Sequence, residues 1–268
     1  MTSETKRICG ALRLNGVLAA VLAAVFLAGC VTTTDSVYTN PPSPEDALER
    51  RVSLARQYIG EGDWENAKRN LSQAVKIDDR NAEVHEAFAL VYQSTGEKEL
   101  AEESFEKAIR LQRDFSRARN NYAAFLFSEQ RYADAERQLK YVVKDTLYSA
   151  RPLAFVNLGL CQLQLDKRVE AEESFSRALS MDRVNTIALL ELAILKYEDG
   201  DYRAAERYYG TYRTAVRPQS PRGLWLGVRL ARATGDKDGE SSYALALSSL
   251  YPKSSEYQEY QRTLNSGQ

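Results

Sequence analysis

The stretch Gly62–Arg110, GDWENAKRNLSQAVKIDDRNAEVHEAFALVYQSTGEKELAEESFEKAIR, carries the same helical pattern twice. Ala67 and Ala101 stand 34 residues apart. Each follows a turn that contains glycine. Each is followed by a bulky residue four positions on (Leu71, Phe105) and by an alanine seven positions on (Ala74, Ala108). Residues spaced this way share one face of an α-helix. The pattern continues in QRYADAERQLKYV, DKRVEAEESFSRA and GDYRAAERYYGTY. There Ala135 comes 34 residues after Ala101, Ala171 another 36 on, and Ala205 34 after that. An aromatic often sits just before the alanine (Trp64, Tyr132, Tyr202). Upstream of each turn, a second helical segment has a small residue at its eighth position: Ala55, Ala89, Ala123, Gly159 and Ala193. Small residues on both segments let two helices approach closely.

This period resembles the tetratricopeptide repeat, a helix–turn–helix unit of about 34 residues. The resemblance implies an all-α fold: a right-handed superhelical solenoid of about six repeats. We place them at about 48–81, 82–115, 116–149, 152–185, 186–219 and 220–253. The sixth is degenerate, keeping Leu226, Gly227 and Pro252 but carrying Glu240 where the packing alanine is expected. Ser255 to Leu264 is expected to form a capping helix, with Tyr257, Tyr260 and Leu264 on one side, because an open solenoid end exposes core.

The N-terminus reads as an export signal. Lys6, Arg7 and Arg13 precede an almost wholly apolar run from Leu14 to Leu27, too short for the roughly 20 residues that span a bilayer. The run ends in Leu27-Ala28-Gly29-Cys30, which resembles a bacterial lipobox. That resemblance implies removal of residues 1–29 and diacylation of Cys30. Cleavage takes away three basic residues and one acid, moving the net charge from −1 to −3. Residues 30–47 read as a lipidated, flexible tether rich in Thr, Ser and Pro, able to reach about 50 Å when extended. Pro41, Pro42 and Pro44 are not expected to sustain a helix. Val31 follows the cysteine in place of the aspartate linked to inner-membrane retention in enteric bacteria, so sorting to the periplasmic face of the outer membrane is expected.

Composition removes several function classes. The balance of 36 basic and 37 acidic residues argues against nucleic-acid binding. There is one histidine, His85, so a His-based metal site or triad has almost no material. Cys9 lies in the signal and Cys30 is blocked, which leaves Cys161 as the one mature thiol, expected to be a buried small hydrophobe in NLGLCQLQL. Glu102-Glu103 and Glu172-Glu173 are expected on a solvated outer face, and no phosphate-binding glycine loop occurs. No catalytic residue, metal or cofactor is expected.

Function is then a matter of binding. In such repeats the first helices line the concave face, mainly at positions two, five, nine and twelve. These positions are polar early in the chain (Glu49, Arg56, Glu83, Glu86, Arg117, Asn120). Later they become apolar, in a candidate partner-binding groove of Phe127, Leu153, Val156, Leu160, Leu163, Leu190, Ile194 and Tyr197. Either the groove is open to a partner's apolar helix or strand, or curvature buries these residues as core. Asn121 and Asn157 stand at position six without the lysines of a carboxylate clamp, so they are expected to hydrogen-bond between helices.

Lipobox, Pro-rich tether and about six repeats together resemble the PilF/PilW family of type IV pilus biogenesis lipoproteins. The Gly62–Arg110 stretch, NNYAAFLFSEQRYADAERQL and FVNLGLCQL carry that resemblance. It implies a pilotin that binds the type IV pilus secretin, brings it to the outer membrane on its lipid anchor, and promotes its multimerisation for twitching motility; a monomer is expected, since nothing in the sequence suggests a coiled-coil dimer. A scaffold lipoprotein of another envelope assembly, for barrel insertion or cell-wall synthesis, is the alternative. The sorting expectation has a direct test: in a host that uses the enteric rule, Val31→Asp shifts the protein into the inner-membrane fraction of a sucrose gradient.

Overall fold

The computed structural model describes residues 43–266, which form thirteen α-helices and no strand. Twelve of them pair into six hairpins: α1 (Pro44–Glu61) with α2 (Trp64–Ile77), α3 (Ala82–Thr95) with α4 (Lys98–Leu111), and α5 (Ser116–Ser128) with α6 (Tyr132–Val142). Then come α7 (Arg151–Gln164) with α8 (Arg168–Met181), α9 (Thr186–Glu198) with α10 (Tyr202–Ala215), and α11 (Pro221–Thr234) with α12 (Lys237–Leu250). The last helix, α13 (Ser255–Ser266), follows them. The chain is therefore an all-α helix–turn–helix solenoid. Cys30, the signal expected at 1–29 and residues 30–42 of the tether expected at 30–47 lie outside the described residues.

Helix α1 opens at Pro44, inside the stretch read from sequence as tether. Proline is tolerated at the first position of a helix, where its missing N–H would have had no partner. Glu45 and Asp46 in the first turn complement the positive end of the helix.

Each hairpin turns through one residue of left-handed backbone. Glycine supplies it at Gly62, Gly96, Gly200 and Gly235, but Gln130 and Asp166 hold φ of 61° and 58° in the third and fourth turns. A side chain there costs about 1–2 kcal/mol. Six helix starts are capped by side chains: Asp63, Asp201 and Asp236 accept from backbone N–H groups of second helices, and Asn81, Asn185 and Ser220 do the same for first helices.

The small-residue columns lie where the two helices of each hairpin meet. Ala55, Ala67, Ala89, Ala101, Ala135, Ala171, Ala193 and Ala205 are all fully buried, as are Leu71, Phe105 and Phe175 one turn beyond the second-helix alanines. Gly159 is tighter still, since a Cβ there would come within 2.7 Å of the Phe175 ring. In the sixth hairpin Glu240 takes the alanine's place and is held by Arg232 at 2.8 Å, while Ala244 and Leu247 keep the face buried.

Stacking completes the core. Each second helix packs on the first helix of the next hairpin. The backbones of first helices also approach their successors closely at α1–α3, α3–α5, α5–α7 and α9–α11, whereas those of successive second helices stand further apart, with Tyr243 on α12 bridging back to Tyr209 and Arg213 on α10. The first helices therefore lie on the inside of the curve. One apolar cluster runs from Ala89 on α3 through Phe105 and Tyr122 to Leu158 and Cys161 on α7, so no hairpin owns its core. Helix α13 lies against α11 and α12, placing Tyr260 edge-on to Trp225 with ring centroids 6.2 Å apart. Tyr257 joins it on this cluster, while Leu264 remains 49% exposed.

Two substitutions separate the packing from the turn geometry. Gly159→Ala is expected to cost about 1–3 kcal/mol through the clash with Phe175. Gln130→Gly is expected to add up to about 1 kcal/mol by relieving the left-handed side chain. Urea unfolding followed by circular dichroism reads both signs.

Candidate protein-binding groove

The inner face divides by position along the first helices. Position five points between neighbouring first helices and is buried throughout: Val52, Glu86, Asn120, Val156, Leu190 and Leu224. Two residues assigned to the groove from sequence are thus corrected. Val156 is fully buried and Leu190 is 7% exposed, so both belong to the core. The reason is curvature, which brings successive first helices together at this position.

The remaining six candidates reach the inner surface. Leu153 is 44% exposed, and Phe127, Leu160, Leu163, Ile194 and Tyr197 are half-buried. Ile187, at position two of the fifth repeat, is exposed to 43%. The α7 and α9 backbones approach each other less closely than the other first-helix neighbours, and Leu160, Leu163 and Ile194 fall on these two helices. Two aromatic residues extend the strip. Tyr132 stands edge-on to Phe127 at 5.1 Å, and Tyr202 lies 5.4 Å from Tyr197. Both open second helices, and the recurring aromatic before the packing alanine was their signal in the sequence. Arg229 lies over Tyr197 at 4.7 Å and over Trp225 at 5.6 Å, closing the strip at one end.

The early half of the inner face is polar and pinned. The fully buried Glu86 carboxylate accepts from Arg56 on α1 at 2.5 Å and from Asn121 on α5 at 2.6 Å, with Arg117 at 3.6 Å. One carboxylate thus ties three successive first helices. Asn157 donates to Asn120 at 3.3 Å, and Arg222 grips Glu191 through two contacts of 2.6 and 3.0 Å. Both asparagines at position six bond between helices. Buried ion pairs such as these cost desolvation, so their main effect is to fix register between hairpins.

Other singled-out residues are structural. His85 is buried with Nε2 2.8 Å from the Asp79 carbonyl oxygen, and burial holds its pKa below the ordinary range. Glu102 is less free than expected, accepting from the Tyr122 hydroxyl and from Arg131, while Glu172 pairs with Lys196; Glu103 and Glu173 are exposed. No group of His, Cys, Asp and Glu suited to hold a metal occurs among the described residues, and none of their helices is long and apolar enough to cross a membrane.

Tetratricopeptide-repeat models match residues 82–115 and 126–185. Over 244 residues the chain is 38% identical to the type IV pilus assembly protein PilF of Pseudomonas aeruginosa, covering 90% of this chain and 95% of that protein. The chain belongs to the PilF/PilW family. A solved structure of Pseudomonas aeruginosa PilF superposes with a TM-score of 0.79 at 37% identity, over 83% of this chain and all of that one. PilW, a widely conserved type IV pilus biogenesis factor, superposes with a TM-score of 0.69 at 26% identity, over 80% of this chain and 98% of its own. This PilF/PilW-family member is accordingly a tetratricopeptide protein of type IV pilus biogenesis.

In this family member a small pocket of about 110 Å³ opens in the strip between α5 and α7, lined by Phe127, Leu160 and Cys161 among others. Cys161 is 1% exposed, and burial pushes its thiol up to about 12. A thiol so protonated is a poor nucleophile at neutral pH. In a chain begun at Val31, Cys161 is expected to ignore Ellman's reagent at pH 8 and to react fully once urea unfolds the protein.

Proposed function

We propose that this PilF/PilW-family chain is an outer-membrane lipoprotein pilotin, acylated at Cys30 and facing the periplasm. Its inner apolar strip holds a segment of the type IV pilus secretin, and its acyl chains direct the complex to the outer membrane, where the secretin multimerises. The protein works as a monomeric binding scaffold and not as a catalyst. The observation that carries this reading is the 38% identity to a type IV pilus assembly protein across 90% of the chain. The strip from Phe127 to Tyr202 supports it physically. Affinity in such interfaces comes from a few well-packed aromatic and aliphatic anchors. The polar links among α1, α3 and α5 hold the scaffold in one shape, which lowers the ordering cost of binding.

The test separates grip from delivery. Leu153→Asp with Ile187→Asp alters exposed inner residues, so secretin capture by the purified protein should fall about tenfold or more while the melting temperature holds. Cys30→Ala should leave capture intact and release the protein from the membrane, with secretin multimers lost from the outer-membrane fraction. Normal secretin multimers in the Cys30→Ala strain count against the pilotin role.

A further inference from the structure

A second groove lies away from the inner strip, between the C-terminal end of α10 and helix α12, with a volume of about 510 Å³. Its floor is apolar, formed by Val216, Pro218, Leu224 and Leu250, and Leu250 is 54% exposed. Its rim carries Arg213 and Arg217, and no carboxylate lines it among the described residues. Arg213 donates one hydrogen bond to the Tyr243 hydroxyl at 3.0 Å, leaving most of its five N–H donors uncommitted. The Tyr243 hydroxyl is the main cause that raises the Arg213 pKa, and Glu206, a minor one, does not line the groove. Arg217 is exposed and makes no hydrogen bond or ion pair among the described residues.

The wall is fixed before any ligand arrives. The Gln219 carbonyl accepts from the Tyr251 hydroxyl at 2.9 Å, and the Gln219 side chain accepts from Tyr209 at 2.8 Å. A preformed, largely apolar concavity with two convergent charges has the make-up of a ligand site. The guanidinium groups of Arg213 and Arg217 match carboxylates in planar, two-pronged geometry.

We infer that this groove is a second docking site, for an extended acidic–apolar segment of a protein partner, with an aliphatic or aromatic side chain on the Val216–Leu250 floor and carboxylates on Arg213 and Arg217. The concave shape favours a peptide over a bilayer surface, which an indented patch meets poorly. The site is independent of the secretin reading, whose strip shares no lining residue with this groove.

The experiment uses the full-length protein in detergent on an array of octapeptides. In these, one to three Asp or Glu alternate with Leu, Ile or Phe, and matched peptides carry Lys in place of each acid. The acidic set should be retained and the basic set should not. Arg217→Glu should weaken the best acidic peptide at least about tenfold, the loss of one charge-assisted contact, with an unchanged melting temperature because the side chain is exposed. Leu153→Asp with Ile187→Asp should leave this binding intact. Equal retention of acidic and basic peptides, or full binding by Arg217→Glu, overturns the proposal. So does loss of binding in the inner-strip variant alone. Retention of the unacylated Cys30→Ala protein on phosphatidylglycerol vesicles, lost in Arg217→Glu and with none on the peptides, overturns it in favour of a lipid surface.

Discussion

The architecture depends on the near-contact of two helices across each hairpin. A side chain no larger than a methyl group at Ala55, Ala89, Ala123 and Ala193, and none at all at Gly159, brings the first helix down onto the second. The bulky residue beyond each second-helix alanine (Leu71, Phe105, Leu139, Phe175, Tyr209) is then enclosed. Burial of such side chains contributes about 1.5–3 kcal/mol each. No hairpin can realise this alone, because its other face is equally apolar and needs the next unit. Where the alanine is missing, in the sixth hairpin, an Arg232–Glu240 pair fills its place and the closing helix covers the remaining apolar surface with tyrosines.

Curvature follows from the same stacking. Since the backbones of first helices approach their neighbours more closely than those of second helices, the first helices crowd the inside and a whole column of their side chains is withdrawn from solvent. That column holds Val52, Val156, Leu190 and Leu224, but also Glu86 and Asn120. A polar residue placed there needs partners on the adjacent helices, and Arg56, Asn121, Arg117 and Asn157 supply them. The early inner face is consequently cross-braced and polar. The later inner face keeps apolar and aromatic side chains half-open to solvent, on helices α7 and α9 that stand further apart.

This division gives the family member a stiff half and an adhesive half. The Cys161 thiol is kept protonated by burial, and His85 is engaged with a backbone carbonyl. What the protein offers is shape, fixed before binding by packing and cross-helix hydrogen bonds.

The 34-residue spacing of alanines, the aromatic before each and the turn residues determined the fold class, the number of hairpins and the small-residue faces, because helix periodicity and close approach are local rules written in residue size. They also marked which positions face inward. Tertiary structure alone decided which inward positions stay accessible. Leu190 and Ile194 lie four residues apart on one helix with similar side chains, yet curvature closes the first and leaves the second half-open. It likewise decided that Pro44 starts a helix, that Gln130 and Asp166 accept left-handed backbone, and that Tyr132 and Tyr202 join the strip. Each of these outcomes depends on the distance between neighbouring helices, a quantity that exists only once the hairpins are stacked.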